Sequence, residues 1–166
     1  MMHLLDNNAF SEAHRTYYPL DLAPTFWDWL ENGQLIDDVG SIVAIRDELT
    51  AGDPKGRRYP LAAWAMSIRG DFWHDPTPES AAAMVVVARW AASPKRKYRQ
   101  SAVSEFMASA DLRLIAQSIA EGATLVTRET SDPNCVRRVK IPDVCKAFDV
   151  ECIDPFAAYR RLGLRL

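Results

Sequence analysis

The segment that most limits the possible folds of this chain is Ala110-Asp-Leu-Arg-Leu-Ile-Ala-Gln-Ser-Ile-Ala-Glu-Gly-Ala-Thr-Leu-Val-Thr-Arg-Glu129. Leu112, Ile115, Ala116 and Ile119 recur at helical spacing and define one apolar face. Gly122 sits where a helix ends in a left-handed residue. Ala123-Thr-Leu-Val126 is short and apolar, as a central parallel strand is. The segment therefore predicts a helix, a tight turn and a buried strand, with Asp111 at the helix start and Glu129 past the strand's exit. Open α/β sheets build their sites at the carboxyl ends of strands. Carboxylates elsewhere in the chain that converge on that edge would make one acidic site.

The remainder of the 166 residues alternates strand-like and helix-like pieces without a linker or internal repeat. This predicts a single α/β domain, three-layered, with a central, mostly parallel sheet. His3-Leu-Leu5 reads as the first, central strand, ending at Asp6. Asn7-Asn8 turns the chain, and Asn8 can cap the next helix and hold Asp6. A helix over residues 25–31 buries Phe26, Trp29 and Leu30. Trp27 points elsewhere, toward a partner or a stacked base. Residues 35–40 are ambiguous and can include a short strand. Ser41 is expected to cap a helix with Ile42, Ile45 and Leu49 inward and Glu48 near its end. Further helices are expected over 61–68, 79–92, 101–107, 141–148 and 156–162, with a last strand over 150–153. His74 has no evident partner and is read as structural or exposed.

Bulk properties narrow the function classes. No apolar run approaches the roughly 20 residues that span a bilayer, and the first residues lack a secretory pattern, so a cytoplasmic chain is expected. Cys135, Cys145 and Cys152 are odd in number and lack metal-ligand spacing, so neither a disulfide framework nor a zinc site is expected. The net charge of −2 hides an asymmetry. Residues 1–54 hold two basic against ten acidic residues, a net of −8, and the remainder carries +6. Basic clusters fall at 89–99, at Arg137, Arg138 and Lys140, and at Arg160, Arg161 and Arg165. An acidic pole beside basic patches suits a metal next to a polyanion, although a solvated surface of mixed charge has the same composition.

Asp6, Glu48, Asp111 and Glu129 lie at the edges of different elements. Clustered carboxylates raise one another's pKa, and a hard divalent cation removes that penalty. All-oxygen ligation favours Mg²⁺ or Mn²⁺, ions that activate water and stabilise charge on a phosphodiester.

The spacing of these four acids, with Ala110-Asp111 and Leu125-Val-Thr-Arg-Glu129, resembles the PIN-domain nucleases, and within them the VapC-like toxin ribonucleases. The segments Tyr17-Tyr-Pro-Leu-Asp-Leu-Ala-Pro-Thr-Phe-Trp-Asp-Trp-Leu30 and Lys140-Ile-Pro-Asp-Val-Cys145 resemble a prokaryotic PIN-like subgroup known only as a domain of unknown function. The resemblance runs over essentially the whole chain. It implies a PIN-like fold and an Mg²⁺- or Mn²⁺-dependent endoribonuclease, the toxin of a type II toxin–antitoxin pair. Asp6, Glu48, Asp111 and Glu129 would be catalytic, with Asp6, Asp111 and Glu129 on the metal and Asn8 in support. It also implies an RNA substrate, a cognate antitoxin and a homodimer. Arg128, Arg137, Arg138 and Lys140 follow as candidate RNA contacts. Two positions depart from the family pattern: Asn7 replaces a hydroxyl residue, and Glu129 replaces the commoner Asp.

The rival from another class is a weak or inactive PIN-like scaffold that binds protein or nucleic acid. An aspartate-nucleophile phosphatase wants an acid where Asn8 stands, and no GxGxxG motif follows the first strand for a dinucleotide.

Overall fold

The computed structural model describes residues 1–32 and 38–166. Among the described residues, five strands form one parallel sheet in the order β3-β2-β1-β4-β5. They are β1 (His3–Leu5), β2 (Val39–Ile42), β3 (Trp73–His74), β4 (Thr124–Val126) and β5 (Cys152–Ile153). β1 lies at the centre, with His3 and Leu4 opposite Thr124 and Leu125 on one side and opposite Val39 and Gly40 on the other. The helices are α1 (Asn7–Glu12), α2 (Pro24–Asn32), α3 (Val43–Thr50), α4 (Pro60–Ser67), α5 (Pro78–Ala92), α6 (Gln100–Ala108), α7 (Ala110–Glu121), α8 (Ile141–Ala147) and α9 (Pro155–Arg161).

This is a three-layer α/β/α arrangement. Right-handed crossovers dictate it, because the chain moves one way from β1 to β3 and the other way from β3 to β5. One layer is aromatic. Phe10 of α1 lies 5.5 Å from the ring of Trp64 and 5.8 Å from Trp73, while Phe26 of α2 meets Tyr159 of α9 at 5.2 Å. The other layer is aliphatic, built on Leu112, Leu114 and Ile115 of α7 with Val87 of α5. Among the described residues no helix is long and apolar enough to cross a membrane.

The segment 110–129 folds as its pattern dictates. α7 ends at Gly122 in the left-handed region (φ +61°), and β4 follows fully buried. A Cβ at Gly122 would meet nothing within 4 Å, so the cost of a side chain there is backbone strain alone. Gly122→Ala is expected to lower the unfolding free energy by about 1 kcal/mol, read as a shifted urea midpoint at unchanged slope.

Four expectations need correction. Asn8 does not cap the first helix; it is the second residue of α1, and the cap is Asp6, whose side chain accepts the Asn7 amide. Ser41 caps no helix; it lies inside β2, and its hydroxyl donates to the Leu5 carbonyl at 2.6 Å. At Gly40 the next strand and the residue before it press on β2: a Cβ there would lie 2.9 Å from the Phe72 carbonyl oxygen and 2.9 Å from His74 Nε2. Trp27 does not face outward. It is 2% exposed, donates its Nε1–H to the Tyr18 carbonyl and packs on Trp64 at 4.8 Å. His74 has an acidic partner, the carboxylate of Glu121, at 2.8 Å. The ambiguous segment 35–40 resolves into β2 at its end, while residues 35–37 lie outside the described residues. The three cysteines are free, Cys145 buried and Cys135 and Cys152 partly so.

Candidate metal centre

The sheet changes direction between β1 and β4, and the chain leaves both strands side by side at their carboxyl ends. Asp6 follows β1 directly and caps α1, its Oδ1 accepting the Asn7 amide at 2.7 Å. Thr127 follows β4 and donates its hydroxyl to Asp6 Oδ2 at 2.8 Å. Asn8 donates its side-chain amide to the same oxygen at 2.7 Å and to Thr127 Oγ1 at 3.0 Å, and its own Oδ1 accepts the Arg128 amide. Asn8 thus fixes Asp6 and the exit of β4 together.

A cleft of about 330 Å³ opens over this junction. Asp6, Glu48, Asp111 and Glu129 all line it, beside Asn7, Asn8, Glu105 and Arg138. Four elements deliver the acids. Glu48 comes from the last turn of α3 and accepts Asn7 Nδ2 at 3.0 Å and the Ala110 amide at 3.4 Å. Asp111 stands in the first turn of α7. Glu129 Oε2 accepts the Ile141 amide at 2.9 Å, and its Oε1 is paired with Arg138 at 2.9 Å.

The acids oppose one another. Burial, with Asp111 as the next cause, pushes the Asp6 pKa up to about 7; the hydrogen bonds from Thr127 and Asn7 pull the other way. Asp111 rises to about 6 through burial, then Glu129 and Glu48, with Arg138 opposing. Asp111 is also the acid of the four whose carboxylate has no hydrogen bond or ion pair among the described residues.

The basic residues divide. Arg138 lines the cleft. Arg128 is absent from its lining; its guanidinium pairs with Glu12 at 3.1 Å and Asp154 at 2.6 Å and lies over Phe156, tying α1 to the start of α9. Those pairs occupy the fork that a phosphate contact would need. Arg137 is exposed and Lys140 half-buried ahead of α8, both outside the cleft lining.

A family model described as a domain of unknown function, DUF4411, matches residues 3–166. The chain belongs to the DUF4411 family. No curated protein and no solved structure matches it.

The cleft of this DUF4411 chain contains residues that sequence reasoning missed. Glu105 lies on α6 and contributes to the field that raises Asp111. Its only signal was position: α6 and α7 meet at the single residue Ser109, which brings the end of one helix beside the start of the next. Thr127 carried a similar signal, as the first residue past a central strand.

The donors fit a hard divalent cation in chemistry: oxygen throughout, with two acids whose charge the fold disfavours. As placed, no three His, Cys, Asp or Glu side chains among the described residues stand close enough to hold one ion between them. The hydrogen bonds explain this. Glu48 is turned to Asn7 and Ala110, and Glu129 to Arg138 and Ile141. A cation would have to draw these carboxylates inward.

Proposed function

We propose that this chain is a divalent-metal-dependent endoribonuclease. The observation that carries the reading is the pairing of Asp6 and Asp111, held against their own charge at the switch point of a parallel sheet. Acids elevated in this way, in a cleft, mark a functional site more often than a structural one. The resemblance of the acid spacing to PIN-domain nucleases supports the substrate class, and with it a toxin role, a cognate antitoxin and a homodimer. Asp6, Asp111 and Glu129 would hold Mg²⁺ or Mn²⁺, with Glu48 completing the acidic wall.

A metal ion so held supplies an activated water and neutralises charge on the phosphodiester. The protein's own groups do the positioning. Asn8 and Thr127 fix the Asp6 oxygens, and Asn7 holds Glu48 against the start of α7. Arg138, at the mouth, is the cation placed to meet a phosphate.

The deciding experiment is cleavage of labelled RNA and single-stranded DNA with Mn²⁺, with Mg²⁺ and with chelator, comparing wild type with Asp111→Asn. Cleavage of RNA that requires the metal and disappears in the variant is expected. Equal cleavage in chelator overturns the reading. The second reading, a PIN-like binding module without activity, draws on the Arg138–Glu129 pair and the spread carboxylates. It wins if RNA is bound but never cut.

A further inference from the structure

Arg138 stands out in the cleft because it opposes the acids around it. Its guanidinium is bound to Glu129 Oε1 at 2.9 Å, and that carboxylate's other oxygen is fixed by the Ile141 amide. The side chain of Glu129 is 10% exposed and that of Arg138 is 54% exposed, so the acid is rooted while the cation lies at the mouth. The loop that presents Arg138 is itself anchored. Val139 and Ile141 are buried on either side of Lys140, the Asp132 amide donates to Asp143 of α8 at 3.0 Å, and the Val136 carbonyl accepts the Arg99 amide at 2.8 Å. The pair is therefore built into the loop, and one end of it can leave without disturbing the other.

We propose that Arg138 is the internal counter-cation of the cleft, and that its exchange from Glu129 to a phosphodiester couples divalent-cation binding to nucleic-acid binding. This rests on the reading of the cleft as a divalent-cation site.

The cation and Arg138 compete for one carboxylate. A cation drawn to Asp111 and Glu129 needs Glu129 Oε1, which Arg138 occupies, and it repels the guanidinium directly. Arginine is a rigid fork of donors with no acceptor, matched to phosphate as well as to carboxylate. When the ion takes the carboxylate, the fork is left at the cleft mouth with its donors unfilled. A phosphodiester satisfies them. Metal alone must displace Arg138 into water; metal with a phosphate re-houses it. The two ligands then strengthen one another, and by linkage each does so to the same degree. Arg137, exposed and without an ion pair among the described residues, carries the same charge beside it and has no carboxylate to leave.

Isothermal titration calorimetry tests this with three proteins: wild type, Arg138→Gln and Arg137→Gln. Each is titrated with Mn²⁺ alone, and again in the presence of a fully 2′-O-methylated RNA oligonucleotide, which lacks the free 2′-hydroxyl. For wild type, the oligonucleotide is expected to tighten Mn²⁺ binding about 5-fold or more. Arg138→Gln should bind Mn²⁺ alone more tightly than wild type, and the oligonucleotide should add almost nothing. Arg137→Gln should keep the wild-type coupling ratio, even where its oligonucleotide affinity is lower. If Arg138→Gln binds Mn²⁺ more weakly, or if both variants shift alike, the exchange is wrong and only general charge is at work. If none of the three binds Mn²⁺, the metal-centre reading falls first, and the exchange with it. Removing Arg138 leaves Glu129 beside Asp111 without its cation, so in chelator Arg138→Gln is expected to melt below wild type, and saturating Mn²⁺ to narrow the gap.

Discussion

Asp6→Asn should abolish RNA cleavage, by more than about 100-fold, and yet make the protein harder to unfold when no divalent ion is present. Both halves follow from one carboxylate. Asp6 is 4% exposed, and its pKa lies near 7 against an ordinary 3.8. At pH 8 that difference costs the folded state ~4 kcal/mol. An amide of the same shape removes the charge but places donors opposite Asn8, which offsets part of the gain. A net stabilisation of about 1–2 kcal/mol is expected.

The sign of the pH dependence is fixed. The unfolded chain releases this proton near pH 4 and the folded chain near pH 7, so between them the folded state holds the extra proton and stability falls as pH rises. The advantage of the variant should be absent below about pH 4, grow through pH 5 and 6, and be complete above 7. Asp111, also raised, adds to the wild-type slope. Thermal melts in chelator at pH 5 and pH 8 read this directly. Mn²⁺ should then restore wild type at pH 8 and leave the variant unmoved. Parallel melting of the two proteins at both pH values would remove the electrostatic account of the cleft.

The second large effect lies in the aromatic layer. Phe10 is fully buried on α1, with Trp64, Trp73 and Phe72 within 6.1 Å. Phe10→Ala is expected to cost about 3–5 kcal/mol, a large part of the 5–15 kcal/mol that holds a typical domain together. Its measure is the urea midpoint. The loss reaches the cleft, because α1 also carries Asn7 and Asn8 and is capped by Asp6. Metal affinity should therefore fall alongside stability in Phe10→Ala. An exposed α2 substitution such as Asp28→Ala should leave both unchanged.

What could be read in the sequence was whatever repeats locally. The apolar face of α7, Gly122 and the buried run of β4 carry their signals within twenty residues, and all fold as expected. Thr77 before Pro78 and Asp154 before Pro155 are local signals too, each side chain accepting an amide from the first turn of the helix it caps. β2 was illegible because its identity is imposed from outside. Gly40 and Ser41 are poor strand formers; Gly40 fits because the Phe72 carbonyl and His74 leave no room for a Cβ, and Ser41 is held by its hydrogen bond to the Leu5 carbonyl. Trp27 was misjudged for a related reason: the helix period assigns one buried face, but α2 is covered on two sides, by α4 and by the turn at Tyr18. For the site, the four acids were legible as residue types at element ends. Their supports were not. Thr127 and Asn8 meet across 119 residues, and Asn7 and Glu48 across 41.

The central place of β1 has a consequence in time. It precedes the other four strands in the chain, and it can pair with β2 as soon as residue 42 has been made. Its other edge stays open until residue 126 has been made, since β4 is the strand that closes it. Non-local pairing of this kind is slow to form, because a long loop must be closed before any contact repays it. Until then Asp6 has neither Thr127 nor the acid at 129 beside it. The cleft is thus assembled late in synthesis, and a nascent chain carries the first acid of the site long before it carries the site.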